Sequence, residues 1–164
     1  MTITPQPPHV KVMIEAALKA AHIAILRRKE VTNDNNRQEP HVAIKADGSF
    51  LTSGDLQAQQ IIQAVLDKAS PDIAKTLDVE SIGFICEENL GTQTQTNRSK
   101  GAHWVIDPID GTRGYRAKDG EKASPWAVSI ALEKDGKTIA SVVYEASEAE
   151  YSTDPSKKLT NAQH

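Results

Sequence analysis

The sequence has a single cysteine, Cys86, in a chain of 164 residues. A lone thiol excludes a disulfide framework and favours a reducing compartment. No apolar run approaches the roughly 20 residues that a membrane-spanning helix needs, and the first ten residues, MTITPQPPHV, lack the charged and then apolar pattern of a signal peptide. We therefore expect a cytoplasmic protein that does not bind a membrane.

Basic residues are not in excess either. The 19 Lys and Arg residues and the 22 Asp and Glu residues give a formal net charge of −3. Because no Lys/Arg cluster dominates the chain, we expect no nucleic acid polymer among its partners. A phosphate group would therefore have to bind at a local site with its own donors or cations, and not on a basic surface.

Apolar spacing of three and four residues predicts helices over residues 9–30 and about 54–69. Thr52 and Ser53 are good capping residues for the second helix, and the dipeptide Ser70-Pro71 is expected to end it. Between the two helices, residues 31–44 are predicted to form a polar loop.

Short apolar runs predict strands over residues 81–86, 102–107, 126–133 and 138–145. The last two are joined by Asp-Gly, which suits a tight hairpin turn. Helices followed by strands predict an α+β fold, with the helices packed on a mostly antiparallel sheet. The last residues, 152–164, have little apolar pattern and are predicted to be a disordered tail.

The stretch WVIDPIDGTRGY, residues 104–115, places two carboxylates three positions apart after an apolar run. Pro108 fixes its own φ and donates no hydrogen bond, so the strand is expected to stop before it. Asp107, Asp110 and the carbonyl of Ile109 would then project from one turn, and such oxygen ligands suit Mg²⁺. An Asx-type turn with solvated acids explains the same residues, and this motif alone does not decide between the two.

Three further features near this motif could serve a site or could be structural. The amides of Gly111 and Thr112 could meet an anion if a short helix begins there. Glu87 and Glu88 follow the strand 81–86, and at most one of them should face a site, because neighbouring strand residues point to opposite faces. Asp55 could hold Thr112 or a water, but the helix dipole alone favours an acid in a first turn.

Taken in order, KADGSFLTSGD, ICEEN, WVIDPIDGTRGY and PWAVSIALEKDGK resemble the N-terminal half of the inositol monophosphatase superfamily. The resemblance covers roughly residues 16–151, and DPIDGT is highly specific for the family. It implies that residues 1–151 form the N-terminal α+β domain of the αβαβα layered sugar-phosphatase fold. It also implies that the family's C-terminal domain is absent from this sequence.

The resemblance implies roles for individual residues. Two Mg²⁺ ions, or Mn²⁺, would be bound by three carboxylates and one carbonyl: Glu87, Asp107, Asp110 and the Ile109 carbonyl. Thr112 and Asp55 would be the catalytic pair that deprotonates a metal-bound water. The amides of Gly111 and Thr112 would hold the substrate phosphate, and lithium would inhibit.

The implied activity is hydrolysis of a small phosphate monoester. The substrate would be a bisphosphate nucleotide such as 3′-phosphoadenosine 5′-phosphate, or an inositol phosphate, and Arg113-Gly114-Tyr115 favours the nucleotide slightly. Because the family's second half supplies another metal-binding aspartate and most contacts to the alcohol, we expect weak or no activity from this chain alone. We expect it to form a homodimer or to need a complementing chain. The alternative is a non-catalytic homologue that binds a metal or a partner.

Overall fold

The computed structural model describes residues 6–33, 42–46, 48–88, 99–116 and 125–146. The predicted tail, 152–164, lies outside them. The elements in chain order are α1 (Pro8–Asn33), β1 (Val42–Ile44), β2 (Phe50–Thr52), α2 (Ser53–Leu77), β3 (Ile82–Cys86), β4 (Ala102–Asp110), α3 (Thr112–Tyr115), β5 (Trp126–Lys134) and β6 (Lys137–Ala146). Within the described residues, no helix is long and apolar enough to cross a membrane.

Four strands form one sheet in the order β3-β4-β5-β6. β3 runs parallel to β4, while the β4–β5 and β5–β6 pairs are antiparallel. In the turn between β5 and β6, Asp135 has φ 50° and Gly136 has φ 74°, as a primed hairpin turn requires. The predicted α+β class with a mostly antiparallel sheet is therefore confirmed.

The helices α1 and α2 pack together and cover one face of this sheet. Side chains on that face alternate along the strands with those on the opposite face, as the two-residue period of a strand requires. The contact surface of α1 is made mostly of alanine, which lets the two helices approach closely. The buried residues at these contacts are Met13, Ala16, Ala17, Ala20, Ala24, Ala58, Ile62, Leu66, Trp104, Ile106, Val128, Ile130 and Leu132.

The predicted end of the second helix at Ser70-Pro71 is wrong, because α2 continues through Pro71 to Leu77. Proline removes one backbone hydrogen bond inside a helix. Here Ser70 Oγ donates to the Leu66 carbonyl at 2.8 Å and accepts from Trp104 Nε1 at 2.9 Å, which ties this turn to the sheet. Beyond the proline Ile73 is buried, so packing outweighs the lost bond.

Two other boundaries also differ from the sequence-based prediction. The predicted loop over 31–44 is wrong at both ends, because α1 reaches Asn33 and residues 42–44 form β1, which pairs with β2. The strand expected to stop before Pro108 continues to Asp110. The step from Asp107 to Asp110 faces the shorter step from Ser129 to Ala127 on β5, so β4 carries one extra residue there. Such a bulge tolerates a proline, because the ladder is already interrupted.

Tyr115 connects α3 to both long helices. Its hydroxyl donates to the Ala24 carbonyl at 2.8 Å, and its own carbonyl accepts from Arg28 Nε at 2.9 Å. The ring meets Trp126 edge to face, with centroids 5.2 Å apart. Gly54, in the first turn of α2, leaves room for the tyrosine, because a Cβ at this position would overlap the Tyr115 hydroxyl.

We predict that Gly54→Ala destabilises the fold by roughly 1–3 kcal/mol, the usual cost of overpacking. Alanine is intrinsically the better helix former by about 1 kcal/mol, so the steric effect must exceed that gain. Urea unfolding followed by circular dichroism measures the difference. Unchanged or increased stability would show that the Tyr115 contact does not constrain this position.

Candidate functional site

The parallel pairing of β3 and β4 brings two of the predicted site acids together. Cys86 lies opposite Ile106 in the ladder. The next residue on each chain segment is an acid, Glu87 after β3 and Asp107 within β4, so the two acids lie side by side. The Glu87 amide donates to the Ile106 carbonyl at 2.9 Å, which continues the pairing by one bond. Glu87 is therefore held beside Asp107 by the backbone of the sheet itself.

Asp107 is half-buried and surrounded by like charge. Burial, and after it the neighbouring Glu87 and Asp110, together raise the pKa of its carboxyl to about 8, although a hydrogen bond from the Ile109 backbone opposes the shift. The Oδ1 atom of Asp107 is buried and has no hydrogen-bond partner among the described residues. An oxygen in this position fits a cation ligand, since ionised carboxylates are otherwise paired or coordinated when buried.

The acids at this site are also in contact with a lysine side chain. Across the described ranges, no three or more His, Cys, Asp or Glu side chains converge tightly enough to hold a metal ion. Instead, Lys45 Nζ lies 2.7 Å from Glu88 Oε1 and 3.2 Å from Glu87 Oε1. The donor set suits Mg²⁺ in its chemistry, but in this arrangement Glu87 is paired with a lysine.

Asp55 is fully buried at the start of α2 and belongs to a capping box with Thr52. Its Oδ2 accepts from the Thr52 amide at 2.8 Å and from the Thr52 hydroxyl at 2.5 Å. Burial raises the pKa of Asp55, although the hydrogen bonds from Thr52 oppose the shift. These bonds leave Oδ1 directed at Thr112 Oγ1, 3.4 Å away.

The structure thus brings Thr112 and Asp55 together across 57 positions of the chain. The Thr112 hydroxyl also lies 3.1 Å from the Ile109 carbonyl, so its single hydrogen serves one of two acceptors at a time. Gly111 is the N-cap of α3 with φ 87°, and a Cβ there would lie 3.0 Å from the Pro125 carbonyl. A short helix therefore begins at the position where an anion was predicted to bind. The N–H groups of its first residues have no acceptor within the helix.

The sequence of this chain matches a known family. A model of the inositol monophosphatase family matches residues 9–160. The chain belongs to the inositol monophosphatase family.

Relatives within the family carry two different names. An inositol-1-monophosphatase of Mesorhizobium japonicum is 31% identical over 82% of this chain and 42% of the relative. A 3′(2′),5′-bisphosphate nucleotidase CysQ of Buchnera aphidicola is 32% identical over 67% of this chain and 36% of the relative. The crystal structure of the extragenic suppressor protein suhB of Bartonella henselae superposes with a TM-score of 0.63 at 29% identity, covering 84% of this chain and 45% of that one. The chain thus spans less than half the length of these relatives, and the inositol monophosphatase fold is shown for the part that it spans.

Two residues beside the acids of this site, Lys45 and Gln59, were not singled out from the sequence. The prediction that at most one of Glu87 and Glu88 faces a site assumed that the strand continues through them. β3 ends at Cys86, so this alternation does not apply, and both acids contact Lys45. Gln59 exchanges two hydrogen bonds with the backbone of Glu88, at 2.8 and 3.1 Å, and so fixes the acid pair. The sequence does contain a signal for Gln59, because it is a polar residue on an otherwise apolar stripe of the second helix.

We predict that Asp107→Asn stabilises the metal-free protein at pH 8, by something on the order of 1–3 kcal/mol. The raised pKa means that, between about pH 4 and pH 8, the native carboxyl holds more protons than the unfolded one. The wild-type stability therefore falls as pH rises through this window, whereas the asparagine variant lacks this fall. Chemical unfolding in EDTA from pH 5 to pH 8.5 measures the gap. Exposed Asp72→Asn is the control, and a gap that does not widen with pH would contradict the prediction.

Proposed function

We propose that this chain forms the catalytic half of a Mg²⁺-dependent phosphatase that hydrolyses small phosphate monoesters. The observation that carries the proposal is the Thr112 hydroxyl 3.4 Å from the buried carboxylate of Asp55, whose pKa is raised by burial and also by the charge of Glu87. Glu87 in turn lies beside Asp107, which has a buried oxygen without a hydrogen-bond partner among the described residues. Family membership agrees with them.

Glu87, Asp107, Asp110 and the Ile109 carbonyl would hold the metal. Oxygen donors of this kind are the ligands that Mg²⁺ and Mn²⁺ take. The bound ions would lower the pKa of water and neutralise phosphate charge. In the metal-free protein, burial and the nearby Glu87 and Asp110 raise the pKa of Asp107 to about 8, so a bound cation would replace a proton there. The parallel ladder holds Glu87 beside Asp107.

Thr112 and Asp55 would position the attacking water and take its proton. A hydroxyl is a weak base alone and needs a neighbouring group to accept its own proton. Burial raises the pKa of Asp55, so its carboxylate is a better proton acceptor than a solvated one. Water would then add to phosphorus while the ester oxygen leaves, giving phosphate and an alcohol.

The phosphate would be held by the amides of Gly111 and Thr112 at the start of α3. The two names carried by relatives do not choose between an inositol phosphate and a bisphosphate nucleotide. The structure also removes part of the sequence argument for the nucleotide. Tyr115 is fully buried between α1 and Trp126, so its presence is explained by packing, and Arg113 is the exposed member of that tripeptide.

The sheet face opposite the helices suits a covering chain. Cross-strand neighbours Ile85, Val105, Ala131 and Ser141 form one row, and Val143 beside them is 61% exposed. Glu87 and Asp107 line the end of this cleft, whose volume is about 350 Å³. Exposed apolar side chains next to a polar site favour association, and we propose that a second copy or a complementing chain covers them. The alternative function is a non-catalytic metal- or partner-binding module. The Lys45–Glu87 pair favours the partner-binding form of this alternative, because it occupies one of the predicted metal ligands.

We predict that the chain alone hydrolyses inositol 1-phosphate and 3′-phosphoadenosine 5′-phosphate slowly with Mg²⁺, well below the enzyme median of about 10 s⁻¹. Adding the part of the Mesorhizobium japonicum relative that this chain does not match should raise the rate, because it could cover the exposed sheet face beside the site. Sedimentation with and without that half reports association. A monomer with turnover of about 10 s⁻¹ would contradict the need for a partner, and no turnover in any mixture would favour the non-catalytic module.

We predict that Thr112→Ala and Asp55→Asn each lower kcat strongly, by roughly 100-fold or more, in whichever of these mixtures is active. Two groups that act as one unit give non-additive losses, so the double variant should be little worse than either single one. Thr76→Ala, an exposed threonine of α2 whose hydroxyl donates to the Asp72 carbonyl, is the matched control. Losses that multiply in the double variant would contradict a shared role.

A further inference from the structure

Lys45 lies on a turn that fixes its backbone next to the acid cluster. Its amide donates to the Ser49 carbonyl at 2.8 Å, and its carbonyl accepts from the Gly48 amide at 2.9 Å, with Gly48 at φ 83°. From this turn the side chain reaches two acids, and 22% of it is exposed. The cation is therefore held from the β1–β2 side of the cluster, and not from the strands that carry the acids.

The two acids that Lys45 contacts differ in burial. The Glu88 side chain is 4% exposed and lies 2.7 Å from Nζ, whereas the Glu87 side chain is 41% exposed and lies 3.2 Å away. Gln59 clamps the Glu88 backbone with two hydrogen bonds. A buried carboxylate depends on its partner much more than an exposed one does. The contact with Glu88 is thus the fixed one, and the contact with Glu87 can be exchanged.

Electrostatics agree with this division. Burial would lower the pKa of Lys45, but the hydrogen bonds to Glu88 and then to Glu87 outweigh burial and raise it, so the side chain stays an ammonium ion. Burial raises the pKa of Glu88, while the same lysine opposes that shift. The ammonium group is a permanent positive charge against Glu87.

We propose that Lys45 is a tethered cation that competes with the metal ion for Glu87, and that Glu88 is the positioning residue that tethers it. The inference rests on the proposed metal site and goes beyond it, since it concerns what limits metal affinity. A divalent ion at Glu87 must displace the lysine from that carboxylate and remain beside it, because the bond to Glu88 keeps the ammonium nearby. Both effects weaken metal binding.

The test is a titration of metal-free protein with Mn²⁺, in which electron paramagnetic resonance counts the free ion. Lys45→Met should bind Mn²⁺ roughly five- to tenfold more tightly than wild type, because the competitor and its repulsion are both gone. Lys45→Arg, which keeps the charge, should stay within about twofold of wild type. Lys75→Met, which removes an exposed lysine of α2 that pairs with Asp72, controls for net charge and should also stay within about twofold.

Glu88 would be left buried and unpaired in Lys45→Met, which could prevent folding. The double variant Lys45→Met with Glu88→Gln removes both charges of the fixed pair and should show the same tightening. Equal affinity in wild type and both neutral variants would overturn the inference while leaving the metal site standing. Absence of Mn²⁺ binding in wild type and in every variant would overturn both the metal site and the inference. Binding that Asp107→Asn does not weaken would show that the ion binds elsewhere, which would also overturn both.

Discussion

Asp107 is half-buried at the end of β4, beside Glu87 and near Asp110, and the rest of the site is organised around this unfavourable placement. An isolated acid in such a position would protonate or turn to solvent. Here the bulge at Pro108 and the hydrogen bond from Ile109 hold it in place. Burial and the neighbouring charges keep a proton on this carboxyl up to about pH 8, and a cation bound by Asp107 would take the place of that proton.

The fold supplies the positions, and each element supplies one part. The parallel β3–β4 pair aligns Glu87 with Asp107, the capping box of α2 aims Asp55 at Thr112, and the β1–β2 turn brings Lys45 to the acids. Tyr115 and Gly54 lock α3 against α1 and α2. A change in any of these packing contacts would therefore alter the site without touching a ligand.

Periodicity and local motifs predicted the two helices, the four-stranded sheet and the residues of the acid cluster. These predictions failed where tertiary contacts outweigh local signals. The helix α2 continues through Pro71 because Ile73 beyond it is buried, and β4 continues through Pro108 because a bulge there tolerates the proline. Periodicity and local motifs also missed Lys45, since no local pattern shows that a turn lysine will reach acids 42 and 43 positions away. The residues alone left the pairing of Thr112 with Asp55 as one of several interpretations, and the resemblance to a family favoured it.

The central claim is that a divalent cation binds the native cluster through Asp107. A ligand that binds only the folded chain raises its stability with the logarithm of ligand concentration, so unfolding should be measured at pH 7.5 over increasing Mg²⁺, at constant ionic strength. The account predicts that the unfolding free energy rises by about 1.4 kcal/mol for each tenfold increase in Mg²⁺ above the dissociation constant, as one bound ion requires, and that Asp107→Asn abolishes the rise. Stability independent of Mg²⁺ in the wild-type chain, or an equal rise in the variant, would contradict it.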